Sequence, residues 1–357
     1  MNREFETILV TGGAGFIGAN FIRYLFGKAG FDGRVVNLDA LTYAGNLENL
    51  ADIDASLGGK RYFFEKADIR DKDAVAAVFA RHSPDAVVHF AAESHVDRSI
   101  LRPADFVTTN VLGTFTLLEA AREAWKDRDD VLFHHISTDE VYGSLGETGF
   151  FTEESPYDPR SPYSASKAGS DHLAMAYHHT YGMPVTLSNC SNNYGPFQFP
   201  EKFIPLMILN MLEGKQLPVY GDGRNIRDWL YVEDHNSAVW TIMRKGEAGR
   251  SYNIGGGNEW ENIGLLSRLL GIVAEETGRD AGALRALISY VRDRPGHDRR
   301  YAIDCSRLRS ELGWSPEHGF EEGLRATVRW YMSNAGWCER VRSGDYRHWP
   351  DKNHERR

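Results

Sequence analysis

Two short stretches hold the groups best suited to move protons. The first, Ser161-Pro162-Tyr163-Ser164-Ala165-Ser166-Lys167, contains Tyr-x-x-x-Lys. Ser161 suits a helix N-cap and Pro162 the first helical position, so a helix is predicted from there to about Tyr181, stopped by Gly182. Tyr163 and Lys167 then share one face. A free phenol has a pKa near ~10, and a neighbouring ammonium favours its ionised form, which brings Tyr163 toward use as a base. Alone, the pattern is also what an ordinary helix surface gives. The second stretch, His135-Ile136-Ser137-Thr138-Asp139-Glu140-Val141-Tyr142-Gly143, closes a predicted strand. Thr138 is placed to hydrogen-bond a hydroxyl, and Asp139 and Glu140 are adjacent acids. An isolated Asp-Glu pair usually marks a solvated turn.

A third stretch gives these groups a partner. The first strand runs into Thr11-Gly12-Gly13-Ala14-Gly15-Phe16-Ile17-Gly18 and then a helical segment. Gly12, Gly15 and Gly18 have the spacing of a dinucleotide fingerprint: a tight turn, close backbone approach to a pyrophosphate, and close helix–strand packing. The helix N-terminus offers free N–H groups to that pyrophosphate. Asp39 ends the next strand, 21 residues after Gly18. A carboxylate there accepts from ribose hydroxyls and repels a 2′-phosphate, and Ala40, Leu41 and Thr42 bring no arginine, so NAD is expected rather than NADP. Asp68 and Ile69, after the third strand, fall where an adenine would lie. With NAD in place, Tyr163 becomes the base of a redox step. Asp139 and Glu140 then supply the two further proton transfers that an elimination requires.

These sites need strands to carry them. Apolar runs at 8–10, 35–38, 62–64, 86–90, 131–133 and 185–187 read as buried strands, most of them separated by helical stretches such as 104–124. The expectation is an α/β, Rossmann-type doubly wound parallel sheet. After Cys190 the chain turns to loops rich in Gly, Pro and Asn between helical segments at 203–213 and 263–276. That predicts an NAD-binding domain over 1–190, regaining a strand near 251–256, and a smaller, loop-rich substrate domain over 191–357.

The chain has 357 residues, 42% of them hydrophobic, and a net charge of -9. Such a balance argues against nucleic acid as a partner, while a small anionic substrate needs only a local basic cluster. No segment approaches the ~20 apolar residues of a membrane span. The opening residues lack a signal peptide's pattern, so a cytoplasmic location is expected. Cys190, Cys305 and Cys338 make no metal-ligand pair and no disulfide framework, and no metal site is expected.

Over nearly its full length the chain resembles the dTDP-glucose 4,6-dehydratase family, in the extended short-chain dehydrogenase/reductase superfamily. The matching segments are 11–18, 41–47, 91–100, 137–143, 163–167, 190–196, 200–202, 227–235 and 293–304. The glycine loop and Tyr-x-x-x-Lys belong to the whole superfamily. Thr-Asp-Glu before Val-Tyr-Gly is narrower, because related 4-epimerases and GDP-mannose 4,6-dehydratases differ at the position of Asp139. The resemblance implies oxidation at sugar carbon 4 with Tyr163 as base, elimination across carbons 5 and 6 with Glu140 as base and Asp139 as acid, and hydride return to carbon 6. It implies further NAD contacts at Phe16, Ile17, Leu41, Thr42, Phe90, Ala91, Ala92, Ser94, Thr109 and Asn193. Substrate contacts are implied at Ser94, Thr138, Asn192, Lys202, Phe203, Pro218 and Tyr220. Others are implied at Arg227, Asn262, Arg294, His297 and Tyr346, with Arg227 best suited to grip a diphosphate. A homodimer is implied, with helices at 104–124 and 163–181 as its interface. Alternatives within this reading are a dehydratase of UDP- or CDP-glucose, a 4-epimerase, which needs no acid pair, and a non-catalytic NAD-binding protein of the same fold.

Overall fold

The structure is a computed structural model and describes residues 2–126, 128–293 and 298–343. Its strands are β1 (Thr7–Thr11), β2 (Arg34–Asp39), β3 (Tyr62–Lys66), β4 (Ala86–His89), β5 (Leu132–Thr138) and β6 (Val185–Cys190), then β7 (Asn192–Tyr194), β8 (Leu217–Tyr220), β9 (Ile226–Tyr231), β10 (Ser251–Ile254), β11 (Glu259–Glu261) and β12 (Ile288–Val291). Seven of them form one sheet in the order β10-β6-β5-β4-β1-β2-β3. Every pairing in it is parallel.

Side chains alternate across this sheet, and both faces are covered. Ile8, Val10, Val35, Val88 and Leu132 face one core with Phe21, Ile22 and Leu25 of the helix Phe16–Phe26. Leu9, Val36, Val87, Phe133 and Val185 face the other, under helices Lys72–His82, Thr114–Ala124 and Pro162–Tyr181. Covering both faces explains why the strands read as unbroken apolar runs. The order reverses beside β1, with β2 on one side and β4 on the other, and in such sheets ligands bind over that point.

A second core gathers helices Phe203–Glu213, Asn262–Thr277 and Phe320–Ser333 around two small sheets, β11-β9-β7 and β12-β8. The two cores share the chain in alternation. After β7 and β9 the chain returns to the first core through helix Val232–Lys245, whose Ala238, Val239, Ile242 and Met243 pack with Ile8 and Phe21. β10 then pairs with β6, Ser251 opposite Leu187 and Ile254 opposite Cys190. Leu308, Leu312 and Trp314 come back to the same core later still.

The helical stretch at 104–124 is not one regular helix. Pro103–Phe106 is α-helical, Val107–Gly113 winds as a π-helix, and Thr114–Ala124 resumes the α form. The Thr108, Thr114 and Thr116 hydroxyls each donate to the carbonyl four residues back. Such bonds compete with the regular ladder and loosen it. Gly113 lets this segment approach Ile69, whose Cδ1 would lie 2.5 Å from a Cβ there. Among the described residues no helix is long and apolar enough to cross a membrane.

Candidate active site

A cleft of about 600 Å³ opens over the carboxyl ends of β1, β4, β5 and β6. Its floor at one end is the glycine loop. Gly12 has φ +70°, and a Cβ on it would meet the Ala91 backbone at 2.8 Å. A Cβ on Gly18 would lie 2.3 Å from the Gly12 carbonyl, so the loop closes only without side chains at both positions. Asp39 is buried at the end of β2 and accepts from the Ala14 amide at 3.0 Å and the Leu41 amide at 2.8 Å. Burial raises its pKa, and these two bonds pull it back. Each carboxylate oxygen keeps capacity for a hydroxyl donor. The loop, the carboxylate and the apolar wall of Ile69, Phe90, Ala91 and Ala92 thus fit a dinucleotide. Phe16, Ile17, Thr42, Asp68, Ser94, Thr109 and Asn193 line the same cleft, as does Gly15. Leu41 does not; it sits at φ +53° with its amide turned onto Asp39.

Farther along, the proton-moving groups converge. Ser161 caps the helix Pro162–Tyr181 in a capping box with Ser164, and Gly182 at φ +69° ends it. Tyr163 and Lys167 on that helix, and Thr138, Asp139 and Glu140 at the end of β5, all line the cleft. The buried Lys167 ammonium donates to the Ile136 carbonyl at 2.7 Å. Burial lowers its pKa, and Asp171 opposes that. Tyr163 is pushed well up, by burial first and by Glu140 and Cys190 next, while a hydrogen bond from Thr138 pulls it down. The threonine hydroxyl therefore favours the phenolate. The expectation that Lys167 serves Tyr163 acquires a second member in Thr138.

Asp139 and Glu140 begin a turn of 3-10 helix, Asp139–Tyr142, and their environments differ. Asp139 is buried, and its pKa is driven well above the carboxylate range by burial, then by Glu140 and Asp228, with Arg227 acting against them. Its Oδ1 lies 3.4 Å from the Thr138 hydroxyl. Glu140 is half-buried, with its amide on the Thr138 hydroxyl at 3.3 Å. Burial thus favours the neutral, proton-donating form of one acid, beside another set in a wetter position.

The expected substrate contacts divide. Ser94, Asn192 and Lys202 line the cleft, with Lys202 Nζ 3.4 Å from the Ser94 carbonyl. Phe203, Pro218, Tyr220, Arg227 and Asn262 stand outside its wall, on helices and strands of the second core. Arg227 on β9 donates to the Ile226 and Asp298 carbonyls at 2.7 and 3.0 Å and lies over the Tyr301 ring, 4.3 Å from its centre. Its charge nevertheless reaches Asp139. Arg294, His297 and Tyr346 lie outside the described residues. Sequence reasoning passes over Tyr43, Glu93, Gln198, Phe199 and Glu201, which all line the cleft. Glu201 lies 3.6 Å from His95 and 3.9 Å from Arg98, and Arg98 sits 3.6 Å over the Tyr43 ring. Tyr43 falls within 41–47 and Glu201 within 200–202, but nothing local marks either as facing the cleft.

Comparison with known proteins agrees with this geometry. Residues 9–327 match the family model described as GDP-mannose 4,6 dehydratase. The chain is 54% identical to dTDP-glucose 4,6-dehydratase 1 of Escherichia coli (strain K12), over 98% of this chain and 99% of that one. It is 55% identical to the dTDP-glucose 4,6-dehydratase of Xanthomonas campestris pv. campestris (strain B100), over 96% and 97%. A crystal structure of the dTDP-glucose 4,6-dehydratase from Streptomyces venezuelae, with NAD and TYD bound, superimposes with a TM-score of 0.86 at 48% identity, covering 94% of this chain and 99% of that one.

Proposed function

The chain belongs to the GDP-mannose 4,6 dehydratase family, and from that premise we propose that it converts dTDP-glucose to dTDP-4-keto-6-deoxyglucose and water. It is an NAD-dependent nucleotide-sugar 4,6-dehydratase. The observation that carries the reaction type is the pair Asp139 and Glu140 set beside Tyr163 in one cleft, because a 4-epimerase needs only the tyrosine.

The glycine loop and Asp39 would hold NAD, which when bound would accept the hydride from carbon 4 and return it to carbon 6. Tyr163, assisted by Thr138 and Lys167, takes the proton from the carbon 4 hydroxyl. The ketone so formed acidifies the hydrogen on carbon 5, which Glu140 removes. Asp139, whose buried setting favours the neutral form, gives its proton to the hydroxyl leaving carbon 6, and water departs. The remaining contacts follow the same proposal: Ser94, Asn192 and Lys202 contact the substrate in the cleft, and the charge of Arg227, which stands outside the wall but reaches Asp139, attracts the diphosphate. In this scheme 1–190 with β10 serves NAD and the rest serves the nucleotide sugar.

A cytoplasmic homodimer completes the proposal. Val107, Leu112 and Phe115, on the segments Val107–Gly113 and Thr114–Ala124, expose between 44% and 52% of their surface, and Tyr181 at the end of the Tyr163 helix 55%. A shared apolar face of this kind suits a second copy. The reaction itself is tested by incubating purified protein with dTDP-, UDP-, CDP- and GDP-glucose and identifying products. The highest kcat/KM is expected with dTDP-glucose, and deuterium placed on carbon 4 should reappear in the carbon 6 methyl group. Equal use of UDP-glucose would overturn the nucleotide assignment. Loss of the label to solvent would overturn the internal hydride return.

A further inference from the structure

We infer that Asp171 is a positioning residue of this reaction: one helical turn beyond Lys167, its carboxylate keeps that buried ammonium charged and ties the helix to the end of β5. The inference rests on the roles given above to Tyr163 and Lys167. An ammonium removed from water tends to lose its proton unless a negative charge faces it. Among the described residues, the groups whose charges couple to Lys167 are His89 on β4, His135 on β5, Cys190 on β6 and Asp171 on its own helix, where Tyr163 stands one turn before it. His89 and His135 are neutral: burial drives the first well down and the second to about 4. Burial pushes the Cys190 thiol up to about 12, so it too is uncharged at neutral pH. Asp171, one turn on along the same helix, is the acid whose charge reaches the ammonium.

The contacts of Asp171 suit an acceptor-only carboxylate. Its Oδ2 accepts from the Ser137 hydroxyl at 2.6 Å and the Tyr157 hydroxyl at 3.1 Å, and its Oδ1 lies 3.1 Å from His135 Nε2. Tyr142 and Tyr157 have their ionisation pushed far up, by burial first, with the charge of Asp171 contributing. Three consecutive residues of β5 are therefore held from one helix. His135 lies against Ser170 and Asp171, the Ile136 carbonyl takes Lys167, and Ser137 donates to Asp171. Thr138, Asp139 and Glu140 follow directly. One carboxylate thus serves both halves of the site: the charge beside Tyr163 and the aim of the acid pair.

The test follows the loss of the carbon 4 hydrogen in a single turnover against pH, because Asp139 acts only after that step. The ammonium is the active form, so the rate falls as pH rises through its pKa. In Asp171→Asn that alkaline limb should move down by about one to three pH units, and Asp171→Glu should move it part of the way back. Ser137→Ala and Tyr157→Phe keep the carboxylate and should leave the limb in place or raise it. Melting temperature and bound NAD are read on every variant. A profile of Asp171→Asn that superimposes on wild type, with only the melting temperature lowered, would overturn the inference. If Asp171→Asn does not fold, a downward limb in Ser137→Ala or Tyr157→Phe would overturn it instead. The underlying reading fails separately, if Lys167→Met keeps its full oxidation rate.

Discussion

At Asp139, burial and the neighbouring acids Glu140 and Asp228 outweigh Arg227 and the Thr138 hydroxyl, and the proton-donating form of the acid is favoured. Hydroxide is a poor leaving group and needs that proton; fluoride needs far less help. Asp139→Asn should therefore slow turnover of dTDP-glucose by about 10²–10⁴ and lose much less with a 6-fluoro-6-deoxy analogue. Glu140→Gln should be slow with both, since the carbon 5 hydrogen must still be removed. Rescue of Glu140→Gln and not Asp139→Asn would reverse the two roles, and initial rates with the two substrates decide. Buried histidines make a separate prediction. Burial pushes His134 and His235 down to about 3, below an unfolded value near ~6.5. The unfolded chain then binds more protons, and stability is lost as pH falls from ~6.5 toward those folded values. Neither ring nitrogen of His235 finds a hydrogen-bond partner among the described residues. His235→Leu should accordingly lose less melting temperature than wild type between pH 7 and 4.5, with contributions from the buried carboxylates common to both. An equal loss in the two proteins would remove His235 from the account.

Among the elements, the Tyr163 helix depends on its first turn. Ser161 accepts from the Ser164 amide and Ser164 accepts from the Ser161 amide, each at 3.0 Å. Ser161→Ala should cost about 0.5–2 kcal/mol, seen as a lower denaturant midpoint, and should slow the oxidation step because Tyr163 stands in that turn. The glycine loop is less forgiving. Gly12→Ala places a Cβ against the Ala91 backbone in a left-handed conformation, and the protein should purify without NAD, as its absorbance spectrum would show. Both features are legible in the sequence, because a cap, a stop and a glycine spacing are local signals. The Thr138–Glu140 stretch is legible for the same reason, as it sits at the end of a strand. Asp171 is not legible: on its helix it reads as one more polar residue, and its partners Ser137 and Tyr157 come from other parts of the chain. Arg227 shows the converse. Its residue type suggests a phosphate contact, but only the fold shows it engaged with Asp298 and Tyr301.

For the whole molecule, an apolar face and an alternating chain path have separate consequences. Leu112→Asp together with Phe115→Asp should convert the proposed dimer to a monomer, measured by light scattering after gel filtration; unchanged mass would place the interface elsewhere. The return of helix Val232–Lys245 to the first core carries no local signal. Part of the alternating path is nevertheless legible in the sequence, which predicts a strand regained near 251–256, where β10 pairs with β6. That partnership also bears on the order of events during synthesis. Until residue 251 has left the ribosome, β6 has no neighbour on its outer side, and the helix that completes the core beneath it has only just emerged. An unpaired, apolar strand edge is a template for association with other chains. Nascent chains cut short between residues 190 and 250 should therefore be captured by chaperones or aggregate, and those extended past 254 should gain protease resistance in one step.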